Sequence, residues 1–155
     1  MTKHDRGTTH LDDVSKAIIE QLQQDGRRSY AAIGKVVGLS EAAVRQRVQR
    51  LLDAGVMQIV GVTDPRELGF ARQAMVGLRC TGPLEPVADA LADLDEIDYV
   101  VVTAGSFDVL VEVVAESDEH LLALLGRIRS VPGVVGTETF TYLHLRKQTY
   151  AWGVR

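Results

Sequence analysis

The sequence predicts an α+β fold in two parts, a helical N-terminal segment followed by alternating strands and helices. Two observations predict it. Through the first 55 residues, apolar side chains recur every three to four positions, which is the spacing of amphipathic helices. Beyond residue 73, short alternating apolar runs are separated by helical segments in the order β-α-β-β-α-β. The composition, 46% hydrophobic and 25% charged, is typical of a globular protein.

Three short helices are predicted in the N-terminal segment. The first runs from about Leu11 to Gly26, because glycine supplies the left-handed conformation at which many helices end. Ser29 is suited to cap the N-terminus of the second helix, which ends at Gly38, and Ser40 is suited to cap the third. The second and third helices are joined by a turn of about three residues, and this is a helix-turn-helix pattern.

The third helix separates an apolar stripe from a polar face. Val44, Val48 and Leu51 follow helical spacing and should pack on the first two helices. The polar face gives the candidate DNA-binding residues, which are Ser40, Glu41, Ala42, Arg45, Gln46, Arg47, Gln49 and Arg50. A solvated amphipathic helix of an unrelated bundle would show a similar pattern. The three arginines against one acidic residue in 41–50 favour DNA binding.

Arginine and glutamine side chains can form paired hydrogen bonds with guanine and adenine edges in the major groove. Arg45 and Gln46 are therefore the first candidates for base readout. Arg47 and Arg50 lie nearer the apolar stripe, and suit either phosphate contacts or pairing within the domain.

The charge is divided unevenly along the chain. Residues 1–62 hold nine Lys and Arg against seven Asp and Glu, a net charge of +2. The remaining 93 residues hold eight against fourteen, a net charge of −6. An acidic C-terminal half repels a phosphate backbone, so DNA is expected to bind the N-terminal half.

Several classes of protein are not expected. No apolar run is long enough to span a membrane, and the polar segment Met1–His10 lacks the apolar core of a signal peptide, so a cytoplasmic location is expected. The single cysteine, Cys80, excludes an intrachain disulfide and a multi-cysteine zinc site. Cys80 is interpreted as a half-buried strand residue, with a redox sensor as the alternative. The four histidines are scattered and no phosphate-binding loop occurs, so neither enzymatic activity nor a metal or cofactor is expected.

The rest of the chain divides into a hinge and an α/β domain. Residues 56–63 are predicted to form a strand and 64–73 a connector. The strands that follow are predicted over 74–80, 97–104, 107–115 and 134–145, with helices over 86–94 and from a Ser117 cap to about Ile128. This is a ferredoxin-like arrangement with both helices on one face of an antiparallel sheet. The other face also carries apolar side chains, so pairing of two copies through their sheets is expected.

Four segments, in order, resemble the Lrp/AsnC family of feast/famine transcriptional regulators. Residues 11–27 are similar to the first helix of that family and its Asp-Gly-Arg exit, and residues 37–56 to its helix-turn-helix. Gly105–Asp108 resembles the Gly-x-aromatic-Asp turn of the family's sensor domain, with Phe107 where tyrosine is frequent. Residues 131–139 resemble the segment that leads into its last strand.

The resemblance implies a winged-type helix-turn-helix domain over 1–55, a hinge over 56–73, and an oligomerisation and effector-binding domain of the RAM/ACT-like type over 74–155. It also implies dimers, further assembly into an octamer of four dimers, and a non-covalently bound amino acid or related small metabolite between dimers. The expected function is therefore a sequence-specific DNA-binding transcriptional regulator that senses such an effector. The alternatives are an architectural DNA-wrapping protein without an effector, and a metabolite-binding module that does not bind DNA.

The turn at Gly105–Asp108 can meet a polar ligand. Backbone amides and Ser106 offer donors to a carboxylate, and Asp108 can accept from an ammonium group. Asp108 can equally serve the turn itself, and both roles stay open at this point. The candidate effector-binding residues are Tyr99, Val101, Thr103, Gly105, Ser106, Phe107, Asp108, Thr137 and Thr139.

Overall fold

The computed structural model describes residues 11–155, and the polar N-terminal segment lies outside this range. The chain forms two compact units, one made of residues 11–61 with 147–155 and the other of residues 62–146. The last nine residues, which were expected in the C-terminal domain, thus group with the helical unit. The last strand ends at Thr141, so strand pairing no longer holds the tail in the sheet.

The first unit contains three helices. They are α1 (Asp13–Gln24), α2 (Tyr30–Val37) and α3 (Glu41–Asp53). The expected caps at Ser29 and Ser40 are confirmed, because each hydroxyl accepts a hydrogen bond from a backbone amide in the first turn. Asp12 caps α1 in the same way. Gly38 ends α2 in the left-handed conformation, with φ of 72°.

The core of this unit confirms the predicted stripe of α3. Val44 and Val48 are buried against Ile18, Leu22 and Ile33 from the first two helices. The apolar face of each helix is thereby removed from water, and this burial is the main source of stability for such short helices.

The predicted strand over residues 56–63 is wrong for the single chain. These residues form no strand ladder with any described residue, and Ile59, Val60 and Val62 remain about half exposed or more. Alternating apolar side chains give a segment the propensity for a strand, but a strand forms only where a neighbour supplies hydrogen bonds. The connector that follows contains a 3₁₀ turn at Pro65–Leu68.

The second unit has the predicted ferredoxin-like order. Its elements are β1 (Arg72–Cys80), α4 (Glu85–Ala92), β2 (Ile97–Val102), β3 (Val109–Ala115), α5 (Asp118–Arg129) and β4 (Val134–Thr141). The four strands are antiparallel in the order β2-β3-β1-β4, so β2 and β4 form the two edges. The last strand is four residues shorter than predicted, and Leu143 beyond it is almost fully exposed.

Both helices pack on the same face of the sheet. Val76, Leu78 and Val111 from the central strands are fully buried there, together with Leu91 of α4 and Leu124 of α5. The alternation of strand side chains places the remaining residues on the second face, which is called the open face below. The open face carries Tyr99, Val101, Leu110, Glu112, Met75, Gly77, Arg79, Glu138 and Phe140.

Candidate DNA-binding surface and effector site

The turn between α2 and α3 depends on a glycine that sequence reasoning did not single out. A Cβ on Gly34 would lie 2.4 Å from the carbonyl oxygen of Leu39, closer than any real contact of this kind. The amide of Leu39 donates to the carbonyl of Gly34 over 3.0 Å and closes the turn. Only glycine allows this close approach, and a glycine inside a helix was the available signal.

Arg45 is held in place on the outer surface of α3. Its guanidinium donates to the Glu41 carboxylate over 2.7 Å, and its Cζ lies 5.2 Å from the centroid of the Tyr30 ring. The side chain is still 63% exposed, so its remaining donors are available to a partner. Tyr30 was not among the predicted residues, because it lies on α2 and meets Arg45 only through the folded turn.

Arg47 points the other way and ties α3 to α1. Its guanidinium donates to the Asp12 carboxylate over 2.7 Å and to the Ser15 hydroxyl over 3.2 Å. Hydrogen bonds from Ser15, and then from Arg47, hold the pKa of Asp12 far below its usual value. Of the two roles that the sequence left open for Arg47, the structure shows pairing within the domain.

The other predicted DNA-binding residues are on the outer surface of α3, apart from Ser40, whose hydroxyl caps the helix. Gln49 donates to Asp53 over 2.8 Å along the helix. Ala42, Gln46 and Arg50 are exposed, and the polar side chains of Gln46 and Arg50 have no hydrogen-bond partner among residues 11–155. The helix therefore presents two uncommitted polar side chains of the kind that read a major groove.

Asp108 is built into the turn of the second unit. Its carboxylate accepts a hydrogen bond from the Cys80 amide over 2.7 Å, and its own amide donates to the carbonyl of Leu78 over 2.8 Å. The Thr103 hydroxyl, in turn, donates to the carbonyl of Phe107 over 2.6 Å. Asp108 therefore has a structural role, because it ties the turn to β1.

Cys80 beside it behaves as the predicted half-buried strand residue. Burial, and then the negative charge of Asp108, raise the pKa of the Cys80 thiol. A raised pKa keeps the sulfur protonated at neutral pH, and the protonated thiol is a poor nucleophile. This favours the structural interpretation over the redox sensor.

Phe107 folds back over the open face. A Cβ on Gly77 would lie 2.7 Å from the Phe107 ring, so the ring rests directly on the glycine backbone of β1. The Phe140 ring meets it edge to face at 6.1 Å, and the Arg79 guanidinium lies 5.8 Å from its centroid. Gly77 was missed from the sequence, although a glycine inside a strand often marks such a close approach.

The predicted effector residues do not all converge within one chain. Tyr99 and Val101 lie on the open face at the β2 edge, and Thr103 follows directly after β2. Thr137 and Thr139 lie on the helix-covered face at the β4 edge. Three strand spacings of about 4.8 Å place the two edges about 14 Å apart. The residues therefore form two groups, one near the Gly105–Asp108 turn and one on β4.

The β4 group borders a cavity with one cationic side chain. The cavity has a volume of about 290 Å³ and is lined by Arg129, Val134, Val135, Gly136 and Thr137. Arg129 Nε donates to the Thr137 hydroxyl over 3.0 Å, while the other guanidinium nitrogens have no partner among the described residues. A guanidinium with free donors beside a hydroxyl group is suited to bind a carboxylate. Sequence reasoning missed Arg129, because only the fold brings α5 next to β4.

Among the described residues, no helix is long and apolar enough to cross a membrane. Residues 11–155 also contain no group of three His, Cys, Asp or Glu side chains placed to hold a metal ion.

The chain matches two family models. Residues 11–52 match the AsnC-type helix-turn-helix domain, and residues 73–152 match the Lrp/AsnC ligand-binding domain. Together the two matches cover most of the chain, and the gap between them falls on the hinge that separates the helices from the sheet.

Relatives align along almost their full length. The HTH-type transcriptional regulator FL11 of Pyrococcus horikoshii is 35% identical over 90% of this chain and 93% of its own. The proline dehydrogenase transcriptional activator of Rhizobium radiobacter is 31% identical over 92% and 95%. Among solved structures, the leucine response regulatory protein LrpA of Mycobacterium tuberculosis superposes with a TM-score of 0.81, 28% identity, and coverage of 89% and 96%. A Neisseria meningitidis regulator in its L-Met complex shares the fold, with a TM-score of 0.79, 21% identity, and coverage of 94% and 97%.

Proposed function

Because the chain belongs to the Lrp/AsnC family of transcriptional regulators, we propose that its second unit senses a free amino acid or a related carboxylate metabolite. The protein is a transcriptional regulator with a helix-turn-helix DNA-binding domain and a ligand-binding domain. The cavity beside Arg129 carries the proposal about the effector, because it joins a free guanidinium, a hydroxyl group and apolar walls of valine.

In the proposed complex, the effector carboxylate is bound by Arg129 and by the Thr137 hydroxyl. Val134 and Val135 line the same cavity and suit a short apolar side chain. The ammonium group then needs an acceptor. We propose that the Gly105–Asp108 turn of a neighbouring copy supplies it, because in one chain Phe107 of this turn rests on the open face whereas Thr137 lies on the helix-covered face. Binding is non-covalent and needs no cofactor, and the protein acts in the cytoplasm by binding rather than by catalysis.

The effector proposal is tested by titrating the full chain with the standard amino acids and measuring the heat of binding. Arg129→Gln should weaken binding of the best ligand at least about tenfold, because a charge-assisted hydrogen bond contributes about 1.5–3 kcal/mol. Arg66→Gln is the control, since it removes one exposed charge of the same unit outside the cavity and breaks no side-chain hydrogen bond among the described residues. A ligand bound equally well by both variants would refute the assignment. No binding by any amino acid would favour the architectural alternative.

We also propose that two copies pair through the open face. Phe140 and Tyr99 are 44% and 52% exposed there, and the Phe107 ring on the same face contacts the Phe140 ring. Large aromatic side chains on one face of a sheet are typical of an interface. The proposed effector site, which combines groups from two copies, would also favour assembly up to the octamer of four dimers. Phe140→Asp should shift the mass in light scattering from the dimer or octamer towards the monomer, and an unchanged mass would contradict pairing through this face.

The DNA contacts are proposed residue by residue. Arg45 and Gln46 read bases, and Arg50 contacts phosphate, because all three are exposed on α3 with donors available. Competition between a selected operator and random duplexes at fixed salt tests sequence specificity. Equal affinity for both would support an architectural DNA-wrapping protein.

A further inference from the structure

The helix-turn-helix unit has only a small net positive charge with which to meet DNA. The side chains of residues 11–61 comprise seven Lys and Arg against six Asp and Glu, a net charge of only +1. Two of the three arginines on α3 are already paired, Arg45 with Glu41 and Arg47 with Asp12. Duplex DNA carries one phosphate charge about every 1.7 Å, so binding of this unit would gain from further cations.

The C-terminal tail, residues 147–155, adds such cations to the same unit. It contains Lys147 and Arg155 and no acidic residue, and no Asp or Glu occurs anywhere in 139–155. The tail raises the net side-chain charge of the described first unit to +3, whereas residues 62–146 have a net charge of −8. Neither Lys147 nor Arg155 forms an ion pair within the described part of the chain. The tail therefore belongs, by position and by charge, to the half of the protein that meets DNA.

Two aromatic side chains of the tail are turned to solvent. Trp152 is 85% exposed and Tyr150 is 56% exposed. Gln148 donates a hydrogen bond to the Tyr150 hydroxyl over 2.6 Å. An indole N–H and a phenol hydroxyl can both donate to phosphate oxygens, while their rings shield the contact from water. Basic residues interleaved with such aromatics match the chemistry of a nucleic-acid backbone.

From this position, charge and exposure we propose that the tail is a second DNA-contacting element, which binds the phosphate backbone of the duplex held by the helix-turn-helix. Lys147 and Arg155 supply the charge, and Trp152 packs on the backbone. The inference rests on DNA binding by the first unit, and adds to it a contact that carries no sequence information. The tail thus raises affinity for all sequences, while α3 provides the discrimination.

The single tryptophan of the chain makes the tail directly observable. Trp152 is the only tryptophan, so intrinsic tryptophan fluorescence reports on the tail alone. The full chain is titrated with a labelled random duplex of about three helical turns, or about 30 base pairs. Anisotropy of the label gives the bound fraction. We expect the acrylamide quenching constant of Trp152 to fall at least about twofold as the DNA-bound fraction approaches one, because a backbone contact shields the ring from the quencher.

A quenching constant that is equal in free and DNA-saturated protein would overturn the proposal. A constant that falls with protein concentration alone, and does not change further with DNA, would also overturn it and would assign Trp152 to a contact between copies. If the anisotropy of the label shows no binding at all, the result refutes DNA binding by the first unit, on which the role of the tail rests.

The salt dependence of binding supplies an independent measurement. Each phosphate contact contributes about 0.9 to the slope of log K against log salt, so Lys147→Gln with Arg155→Gln should reduce the slope by about 1.8 for each bound unit. When the salt concentration rises from about 50 to 200 mM, the affinity of both proteins for DNA falls, and the fold-loss of the double variant should be about 12 times smaller than that of the unmodified chain. Arg66→Gln removes one exposed charge from the second unit and should leave the slope unchanged. An unchanged slope in the double variant would contradict the proposal.

Discussion

Replacing Gly34 by alanine tests whether the turn of the helix-turn-helix depends on close backbone contact. The added methyl carbon would lie 2.4 Å from the carbonyl oxygen of Leu39, and 3.5 and 3.6 Å from the carbonyl carbons of Leu39 and Ser40. All three are backbone atoms, so no side chain can rotate to make room. The second helix and the turn must therefore separate, which also stretches the 3.0 Å hydrogen bond between Leu39 and Gly34.

The expected magnitude is the difference of two opposing effects. Alanine is favoured over glycine inside a helix by about 1 kcal/mol, which alone would stabilise the first unit. Overpacking of a well-packed site costs about 1–3 kcal/mol, and the upper end applies here because only backbone can move. A cost of about 3 kcal/mol less the gain of about 1 kcal/mol gives an expected net loss of about 2 kcal/mol for Gly34→Ala. In a unit of this size, that loss lowers the midpoint of thermal unfolding by about 8–16 °C.

Scanning calorimetry on the full chain measures this change. The transition of the first unit is the one whose midpoint rises when duplex DNA is added, because a ligand stabilises the unit that binds it. Gly126→Ala is the matched control, since Gly126 lies within α5 and a methyl group added to it would meet no atom within 4 Å beyond the backbone of its own helix. That variant should stabilise the second unit by up to about 1 kcal/mol. If Gly34→Ala leaves the first transition unchanged or raises it, the steric reasoning is refuted.

Three further predictions concern polar residues. Arg45→Ala should reduce discrimination at one base position of a selected operator by about 1–3 kcal/mol. Arg50→Ala should weaken binding to all DNA sequences alike, and competition binding measures both effects. The pKa of Asp12 is lower in the folded unit than in the unfolded chain, so its ionised carboxylate stabilises the fold above about pH 4. This stabilisation is lost as the pH falls towards the lowered pKa of the folded unit. Asp12→Asn should therefore flatten the decline of the first transition in acid, and an unaltered pH profile would contradict this. Asp108→Ala leaves the Cys80 amide unpaired and should destabilise the second unit by about 1–3 kcal/mol, whereas Asp108→Asn keeps an oxygen acceptor and should lose less in urea unfolding.

Local features of the fold were predictable from the sequence. The caps at Ser29 and Ser40 and the stop at Gly38 depend on hydrogen bonds and dihedral angles within a few residues, so the local sequence determines them. The stripe of Val44 and Val48 was also predictable, because helical periodicity decides which side chains share a face.

Features that depend on contacts made only in the folded chain could not be predicted from the sequence. The segment 56–63 has strand propensity, but its ladder would need a partner that the described chain does not supply. Gly34 and Gly77 are visible as glycines inside regular elements, yet the atoms they admit, Leu39 and Phe107, are known only from the folded structure. Arg129 was overlooked for the same reason, since its contact with β4 spans the turn after α5.

The position of the proposed effector site has a consequence for regulation. Phe107 of the Gly105–Asp108 turn rests on the open face, whereas Thr137 lies on the helix-covered face. In the proposed complex, one effector therefore contacts Thr137 of one copy and the turn of another. Effector binding then favours the assembled state, and assembly raises effector affinity by the same factor, because the coupling between two binding equilibria is reciprocal. Apparent effector affinity should therefore increase with protein concentration until assembly is complete, whereas a site built within one chain would give a constant value.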